Sequence, residues 1–370
     1  MTESPKAVCS RIMYNASQKT WANRQGRIGE VLTGFDHFSG LRYSLLGWSR
    51  PIAFSSGTDG VGTKIELAER LSTLTGDFSY HKGIAMDLFA MICDDAAMRC
   101  GEPIHVVNAI ACNKLNPTLI ENLGEGIVDA ALCARVAVTN GEVEELGNRV
   151  SGYGPFNYNW NGFVLWMQDP LRLIDGRNVH EGDSIVSIAE PGFRSNGLTD
   201  FRNIVREAHG DNWHEKEFDG RSIAEVALQP STIYCAAIID MVGSFYQNPS
   251  ANVKAFIHIT GGGIPEKLGR ALLPSGKGAI LFDLFPPSRL MHYCQSIGKI
   301  SDEMAYCIWN MGNGGLIVTD DPEKVIGITK KHSLEAKIAG EIVVNPGICI
   351  KNKGAYANRQ REIVFNHTSI

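Results

Sequence analysis

The chain has 370 residues, of which 44% are apolar and 20% charged, and its formal net charge is −5 at pH 7. This length predicts two domains, and the composition is ordinary for a soluble globular protein. The weakly acidic balance creates no global basic field and so argues against a nucleic-acid partner, although a local loop could still bind the phosphate of a small substrate.

The lack of recognisable targeting signals and the pattern of cysteines predict a cytoplasmic protein. Residues 1–10 lack the apolar run of a signal peptide, and no apolar stretch approaches the roughly 20 residues needed to cross a bilayer. The nine cysteines include no C-x-x-C pair, which is typical of reduced thiols. Because their neighbours are apolar, we interpret four of them as small core residues: Cys93, Cys100, Cys112 and Cys133.

Residues 1–50 are polar and weakly periodic, and we assign them to an N-terminal extension and lid-like segment. From position 51 the pattern sharpens, and strands alternate with helices. Asn116 and Pro117 read as a helix cap and a first helical residue. We predict strands at 52–56, 104–110 and 136–138, the last ending at the turn Asn140-Gly141, and helices at 65–71, 83–98 and from 117 onward.

A polar stretch at 175–183 carries Asp-Gly and Glu-Gly-Asp turns and marks the predicted boundary, so that residues 51–178 and 179–370 form the two domains. The alternation of strands and helices in both halves indicates an α/β or α+β fold but fixes no sheet order. In the second half we predict a helix at 198–208 and strands at 184–189, 254–259, 279–282, 316–319 and 341–344.

The segment 57–64, directly after the first predicted strand, could bind phosphate. Its three glycines let the backbone take positive φ and approach a ligand, and Lys64 adds a charge. It matches neither the Walker A nor the dinucleotide fingerprint, and a plain turn is an equal alternative. Asp59 favours the phosphate site, because a carboxylate among phosphates requires a cation such as Mg²⁺ between them.

The helix at 83–98 carries three aspartates. Asp87 and Asp94 share one face, about 10.5 Å apart along the axis. One alternative is a solvated helix face, which we expect for Asp94; the other is a hard-cation site that includes Asp59. Asp95 and Glu142 are further candidate ligands, although Glu142 could also be an exposed turn residue.

Three glycine-dense segments stand in the second half, at 192–197, 258–265 and 310–315. Consecutive glycines after a strand are costly unless the backbone must approach a partner closely, and Pro265 favours a built turn over a flexible loop. The segment before the predicted helix at 198 could bind an anion or simply cap that helix through Ser195 or Asn196. Together, the loops and carboxylates predict a magnesium-dependent, nucleotide-using enzyme.

Four of these segments have a recognisable sequence. Residues 56–64 read S-G-T-D-G-V-G-T-K, and residues 258–265 read H-I-T-G-G-G-I-P. The helix reads D-L-F-A-M from Asp87 and leads to G-E-P at 101–103, and N-M-G stands at 310–312. In this order, over most of the chain, they resemble segments of the phosphoribosylformylglycinamidine cyclo-ligases, also called aminoimidazole ribonucleotide synthetases.

The resemblance implies an α/β (α+β) fold of two domains, with mixed sheets and helices packed on them, and a homodimer with its active site between the domains. Residues 51–178 would be the ATP-binding domain. The implied reaction uses ATP and Mg²⁺ to close a phosphoribosylated small molecule, formylglycinamidine ribonucleotide, into aminoimidazole ribonucleotide during purine biosynthesis. The formyl amide oxygen would take the γ-phosphoryl group, the ribosyl-bearing nitrogen would attack, and phosphate would leave.

Carried onto this sequence, the resemblance assigns three groups of residues. The catalytic group is Asp59, Asp87, Asp95 and His258. The ATP-binding group is Gly57, Thr58, Asp59, Gly60, Gly62, Thr63, Lys64 and Glu142. The magnesium ligands would be Asp59, Asp95 and Glu142. The substrate-binding group is Arg194, Ser195, Asn196, Gly261, Gly262 and Gly263.

The chain departs from the family pattern at three places. It reads N-G-E-V-E-E-L-G at 140–147 where the family usually has G-G-E-T-A-E-M-P. Arg194 stands where the family has histidine before S-N-G, and Asp94 stands where asparagine is usual. We hypothesise that Arg194 binds a substrate phosphate.

Two alternatives stay open. The first is another ATP-using member of the superfamily: thiamine monophosphate kinase, selenophosphate synthetase or the formylglycinamide ribonucleotide amidotransferase. The segment 258–265 disfavours the kinase, the early Cys9 lacks the glycine run expected around a reactive thiol, and the amidotransferase is usually much longer. The second is a catalytically silent nucleotide-binding homologue, which the altered stretch around Glu142 and Arg194 motivates. The presence of Asp59, Asp87, Asp95 and His258 opposes it.

Overall fold

The computed structural model describes residues 5–27, 30–32, 43–44, 53–169, 172–244 and 246–366. The helices in this part are α1 (Pro5–Thr20), α2 (Ile65–Thr75), α3 (Ile84–Ala97), α4 (Pro117–Ala134), α5 (Leu198–His209), α6 (Ile223–Ala227), α7 (Cys235–Val242), α8 (Gly263–Leu272), α9 (Arg289–Gly298), α10 (Asp302–Ile308) and α11 (Pro322–Lys331). The strands are β1 (Val31–Leu32), β2 (Tyr43–Ser44), β3 (Ala53–Gly60), β4 (Glu102–Cys112), β5 (Ala137–Glu145), β6 (Tyr158–Gln168), β7 (Ser184–Ala189), β8 (Glu217–Phe218), β9 (Arg221–Ser222), β10 (Val253–His258), β11 (Gly278–Leu281), β12 (Asn313–Thr319), β13 (Ala336–Val343), β14 (Gly347–Lys351) and β15 (Glu362–Phe365).

The first half of the chain forms a sheet with strand order β3-β6-β4-β5, in which β4 and β5 are parallel and the other pairs antiparallel. Helix α3 packs on this sheet, α4 packs on α3, and α1 packs on α4 and β5. The opposite face leaves large apolar side chains in solvent: Phe54 is 72% and Phe163 39% exposed. One face of the sheet therefore builds the core, while Phe54 and Phe163 stay exposed on the other face.

The second half forms a seven-stranded sheet with order β10-β12-β7-β13-β11-β14-β15. Only β11 and β14 run parallel within it. Two mixed sheets with helices packed on them confirm the predicted α/β (α+β) class. The chain passes from one sheet to the other between Gln168 and Ser184, an interval that contains the predicted boundary at 178–179, although the domain limits stay a prediction.

Local signals set several element ends correctly. Asn116 caps α4, because its Oδ1 accepts hydrogen bonds from the backbone N–H groups of Thr118 and Leu119, and Pro117 takes the first helical position. Helix α2 ends at Gly76, whose φ of 77° is the left-handed conformation that glycine adopts without cost. The predicted strands and helices on either side of 175–183 are present, with ends that differ by a few residues.

Three sequence interpretations were wrong. The strand predicted at 52–56 continues as β3 through Gly57 to Gly60, so half of the expected loop is strand. The strand predicted to stop at Asn140-Gly141 continues through these residues, because β4 pairs with β5 along its whole length. Cys133 lies exposed on α4, whereas the other three cysteines assigned to the core are buried. Parts of the lid-like segment predicted at 1–50, namely 1–4, 28–29, 33–42 and 45–50, lie outside the described residues.

Candidate active site

Three glycine-bearing segments from the two halves meet at one surface, which we call the candidate site. A Cβ atom on Gly62 would lie 4.0 Å from the carbonyl oxygen of Ser195, and one on Gly261 would lie 3.8 Å from Nδ2 of Asn196. Gly62 has a φ of 70°, a backbone conformation that favours glycine. The structure thus brings together the segments 57–64, 192–197 and 258–263, as the sequence predicted.

The triple glycine at 261–263 has a structural reason beyond ligand approach. Gly262 and Gly263 have φ values of 88° and 62°, and they begin α8. A Cβ on Gly263 would overlap the carbonyl oxygen of Tyr306, whereas one on Gly261 would meet only Asn196. Gly263 is therefore needed for packing, while Gly261 leaves room at the site.

Two polar atoms at the site have no hydrogen-bond partner among the described residues. They are Oγ of Ser195 and Oδ1 of Asn196, and both atoms are shielded from solvent. Buried polar atoms are nearly always hydrogen-bonded, and each exception calls for an explanation. A polar ligand at the meeting point of the three segments would satisfy both atoms, which agrees with their predicted substrate contact.

Asp59 and Asp95 supply negative charge to the same region. Asp59 stands near the end of β3, and partial desolvation together with the nearby Asp95 carboxylate raises its pKa, although the Gly60 N–H opposes this. Asp95 Oδ1 lies 2.7 Å from Nδ1 of His258, and this hydrogen bond lowers the pKa of Asp95 against the effect of burial. Magnesium is commonly bound by one or two carboxylates together with substrate phosphates, so this pair fits that ion.

Glu142 does not join these two carboxylates. Asp59 pairs with Gly162 on β6, which pairs with Asn108 on β4, which in turn pairs with Gly141 on β5. Three strand spacings of about 4.8 Å separate the two edges of the sheet, or roughly 14 Å. Accordingly, the described residues contain no group of three or more His, Cys, Asp or Glu side chains able to hold one metal ion.

Lys64 and Asp87 form a pair behind the site. Lys64 Nζ lies 2.7 Å from Asp87 Oδ1, and both side chains are 0% exposed. The ammonium also donates to the carbonyl of Gln229, and Asp87 accepts from the backbone and the hydroxyl of Ser231. The structure thus gives both residues interior partners and places neither on the exposed surface of the 57–64 segment, while Thr63 and Gly62 are exposed there.

Other residues of the predicted ATP-binding group make contacts within the sheet. Thr58 donates its hydroxyl hydrogen to the carbonyl of Gly162, 2.9 Å away on the neighbouring strand. A Cβ on Gly60 would overlap the side chain of Asn161, and one on Gly57 would approach the Trp166 ring. These positions accordingly contribute to sheet packing, and their contact with ATP stays a prediction.

Arg194 lies in the interior, 1% exposed, in the left-handed conformation with a φ of 59°. Its Nη1 donates to Glu190 Oε2 and to the Thr232 carbonyl, both at 2.7 Å. Its Nη2 lies 3.1 Å from Asp94 Oδ2 and 2.8 Å from Nε2 of His258. Although burial opposes it, the oxygens of Tyr234, Glu190 and Asp94 raise the pKa of Arg194, which therefore stays charged.

The expectation that Asp94 lies on a solvated helix face was wrong. Its side chain is 0% exposed, and Oδ1 accepts from the backbone N–H groups of Tyr234 and Cys235, both at 2.8 Å. The two single-residue departures from the family pattern, Asp94 and Arg194, are thus in direct contact as an ion pair. Neither residue is a surface substitution.

Sequence reasoning missed Glu190 and the segment 231–235, which complete this network. Glu190 is a carboxylate directly after the apolar strand β7. An acidic residue at the end of a buried strand indicates a buried carboxylate with a partner, and this signal could have been read from the sequence. No spacing pattern links it to Asp94 or to Tyr234, whose hydroxyl donates to it over 2.6 Å. Glu190 and Tyr234 both belong to the second half, and only the contacts with Asp94 form between the two halves.

Comparison with protein families gives two matches. Residues 47–164 match the N-terminal domain, and residues 180–350 the C-terminal domain, of the AIR synthase related proteins. A phosphoribosylformylglycinamidine cyclo-ligase of Staphylococcus aureus (strain JH9) is 32% identical over 329 residues, which cover 88% of this chain and 90% of that protein.

Solved structures with the same fold have little sequence in common with this chain. Thiamine-monophosphate kinase from Stenotrophomonas maltophilia K279a superposes with a TM-score of 0.58 at 15% identity, over 92% of this chain and 96% of the other. T. maritima PurL complexed with FGAR gives 0.54 at 13% identity, over 100% of this chain and 53% of the other. These likenesses show the fold, and the sequence matches show that the chain belongs to the AIR synthase (phosphoribosylformylglycinamidine cyclo-ligase) family.

Proposed function

We propose that this protein catalyses the ATP-dependent closure of formylglycinamidine ribonucleotide to aminoimidazole ribonucleotide, with release of ADP and phosphate, in purine biosynthesis. The observation that carries the proposal is the meeting of three glycine-bearing segments, with two unsatisfied buried polar atoms, beside two neighbouring carboxylates. A carbon–nitrogen ligation of this kind needs one nucleotide and one polar substrate held side by side.

Different side chains of the protein would bind each of the two substrates. Asp59 and Asp95 would hold the magnesium–ATP complex, and the exposed residues Gly62 and Thr63 would face its phosphates. Magnesium, when bound, supplies positive charge that offsets the phosphate oxygens. Ser195 and Asn196 would bind and orient the phosphoribosyl substrate, so that its formyl oxygen faces the γ-phosphoryl group and its ribosyl-bearing nitrogen can then close the ring. Positioning and charge neutralisation account for such catalysis.

The assembly and the compartment belong to the same proposal. The exposed apolar face of the β3-β6-β4-β5 sheet, with Phe54 and Phe163, offers a surface that a second copy would cover, so we propose a homodimer. All nine cysteines are free, which fits a reducing cytoplasm. No helix among the described residues is long and apolar enough to cross a membrane.

The proposal is tested by measuring ADP and aminoimidazole ribonucleotide together, with magnesium–ATP and with or without formylglycinamidine ribonucleotide. We expect the two products in equal amounts, and only when the substrate is present. Asn196→Ala should reduce the rate, whereas Ser296→Ala, at an exposed serine on α9, should not. Binding of ATP without either product would contradict the proposal and favour the silent homologue; ADP formed with another phosphate acceptor would favour a different member of the superfamily.

A further inference from the structure

We propose that Arg194 is a positioning residue that fixes His258 in the tautomer with its proton on Nδ1 and thereby directs an N–H group at Asp95. This inference rests on the proposed function only in assigning Asp95 to the nucleotide site. It differs from direct phosphate binding by Arg194, the role that the sequence suggested.

The proton position follows from the donor inventory of the two side chains. A guanidinium has only N–H donors and no acceptor. Nη2 of Arg194 lies 2.8 Å from Nε2 of His258, so this nitrogen must be the acceptor and carries no proton. In a neutral imidazole the other nitrogen then carries it. Nδ1 of His258 lies 2.7 Å from Asp95 Oδ1 and donates to it.

The guanidinium itself cannot turn away from His258. Nη1 is held by Glu190 Oε2 and the Thr232 carbonyl, and Nη2 is also held by Asp94 Oδ2. The plane of Arg194 lies over the Tyr234 ring, with the central carbon 4.9 Å from the ring centroid. Because the planar guanidinium is held at both ends, it has a single orientation, and the imidazole ring of His258 that accepts from it has a single orientation too.

Two carboxylates already offset the charge of Arg194. Glu190 and Asp94 form ion pairs with Arg194. The side chains of both carboxylates are 0% exposed, and that of Arg194 is 1% exposed. Nε of Arg194 has no hydrogen-bond partner among the described residues, but it is buried, so a phosphate would have to enter the interior to reach it. The half-exposed side chain of Asp95, in contrast, has one oxygen fixed by His258, and the other has no hydrogen-bond partner among the described residues and could bind a ligand. Arg194 therefore acts on the nucleotide site through His258.

The first test is the tautomer of His258 in the unliganded protein, read from two-bond ¹H–¹⁵N spectra of ¹⁵N-histidine-labelled chain. Removal of one signal set in His258→Gln assigns it among the ten histidines. We expect an Nδ1–H pattern in the wild type. A wild-type signal of the Nε2–H tautomer would overturn the proposal without any further variant.

The second test uses Arg194→Lys, which keeps a buried positive charge between the carboxylates but replaces the fork by a single ammonium. We expect the His258 signal to lose its Nδ1–H pattern. Loss of an outer-shell partner of a metal ligand typically costs about 10–100-fold, so the Mg²⁺ concentration for half-maximal activity should rise, or kcat fall, by that factor, with KM for the phosphoribosyl substrate unchanged. Arg24→Lys, at a buried arginine paired with Glu102, is the matched control and should change neither reading.

The outcomes separate this inference from the proposed function. An unchanged histidine signal in Arg194→Lys would sink the inference, as would a raised KM for the phosphoribosyl substrate with kcat intact, since that result assigns Arg194 to the phosphate. A wild type that makes no aminoimidazole product would instead refute the proposed function, while the tautomer reading would still decide the role of Arg194.

Discussion

Replacing Lys64 by methionine should destabilise the protein strongly and leave its nucleotide loop in place. The ammonium lies 2.7 Å from Asp87 Oδ1 with both side chains 0% exposed, so the variant leaves one carboxylate buried without its counter-charge. Removing one partner of a buried pair typically costs about 3–5 kcal/mol. The hydrogen bonds from Ser231 remain, but Asp87 Oδ2 already lacks a partner, so little else offsets the charge.

The free energy of unfolding is measured by urea titration, with the fluorescence of the six tryptophans as the signal. Lys82→Met is the matched control, because Lys82 pairs with Glu125 and Asp129 at the surface and is 41% exposed. Such a surface pair contributes up to about 1 kcal/mol. Lys64→Met with Asp87→Asn should recover most of the loss, because the double variant buries no charge.

The reasoning would be refuted if Lys64→Met unfolded at the wild-type urea concentration while its KM for ATP rose. That result would mean that the ammonium leaves Asp87 and reaches the phosphates, as the sequence alone suggested for Lys64. A loss of stability in Lys64→Met without recovery in the double variant would locate the cost in packing rather than in charge.

Three further predictions concern separate parts of the molecule. Gly263→Ala should fail to give a soluble folded chain or should lower its melting temperature markedly, because its Cβ would overlap the Tyr306 carbonyl; Gly261→Ala, with open space, should melt as the wild type does. His81 is buried and its pKa is lowered to about 4, so the folded state binds fewer protons than the unfolded state between pH 6.5 and 4. The contribution of His81 to the free energy of unfolding should therefore fall as the pH drops through this window, by on the order of 3 kcal/mol, and His81→Gln should remove this contribution from the pH dependence in urea titrations at several pH values. Phe54→Lys should shift the protein towards a monomer in light scattering if the exposed sheet face joins two copies, and an unchanged mass would contradict that interface.

The sequence predicted best what is encoded locally. Helix α3 and the cap of α4 were correct because an apolar run and an Asn-Pro pair act within a few residues. The extension of β5 through Asn140-Gly141 could not be predicted in this way, because a turn signal is weaker than the ladder that β4 offers along the whole strand. Strand β6 was missed, although its residues alternate between buried and exposed from Tyr158 to Val164, which is a readable period of two.

In the candidate site too, the features that are encoded locally were predicted and those that depend on distant residues were not. The segments 57–64, 192–197 and 258–263 were found because glycines mark close approach in the sequence itself. The burial of Asp94 and its ion pair with Arg194 were not predicted, since these two residues are 100 positions apart in the sequence. A charged residue in an unfamiliar position looks like a surface or ligand-binding change until its counter-charge is located.

The buried charges also explain how the site keeps its geometry across the two halves. Asp94 and Asp95 belong to α3 of the first half, whereas Arg194 and His258 belong to the second, and separating Asp94 from Arg194 would leave a buried charge without its partner, at several kcal/mol. Ser195 and Asn196 directly follow Arg194, so the buried positive charge at position 194, which Arg194→Lys would keep, sets where their unsatisfied oxygens lie. The distance between the nucleotide carboxylates and the substrate oxygens is therefore fixed by this ion-pair network, which makes Arg194 a structural requirement of the site even though it lies beneath its surface.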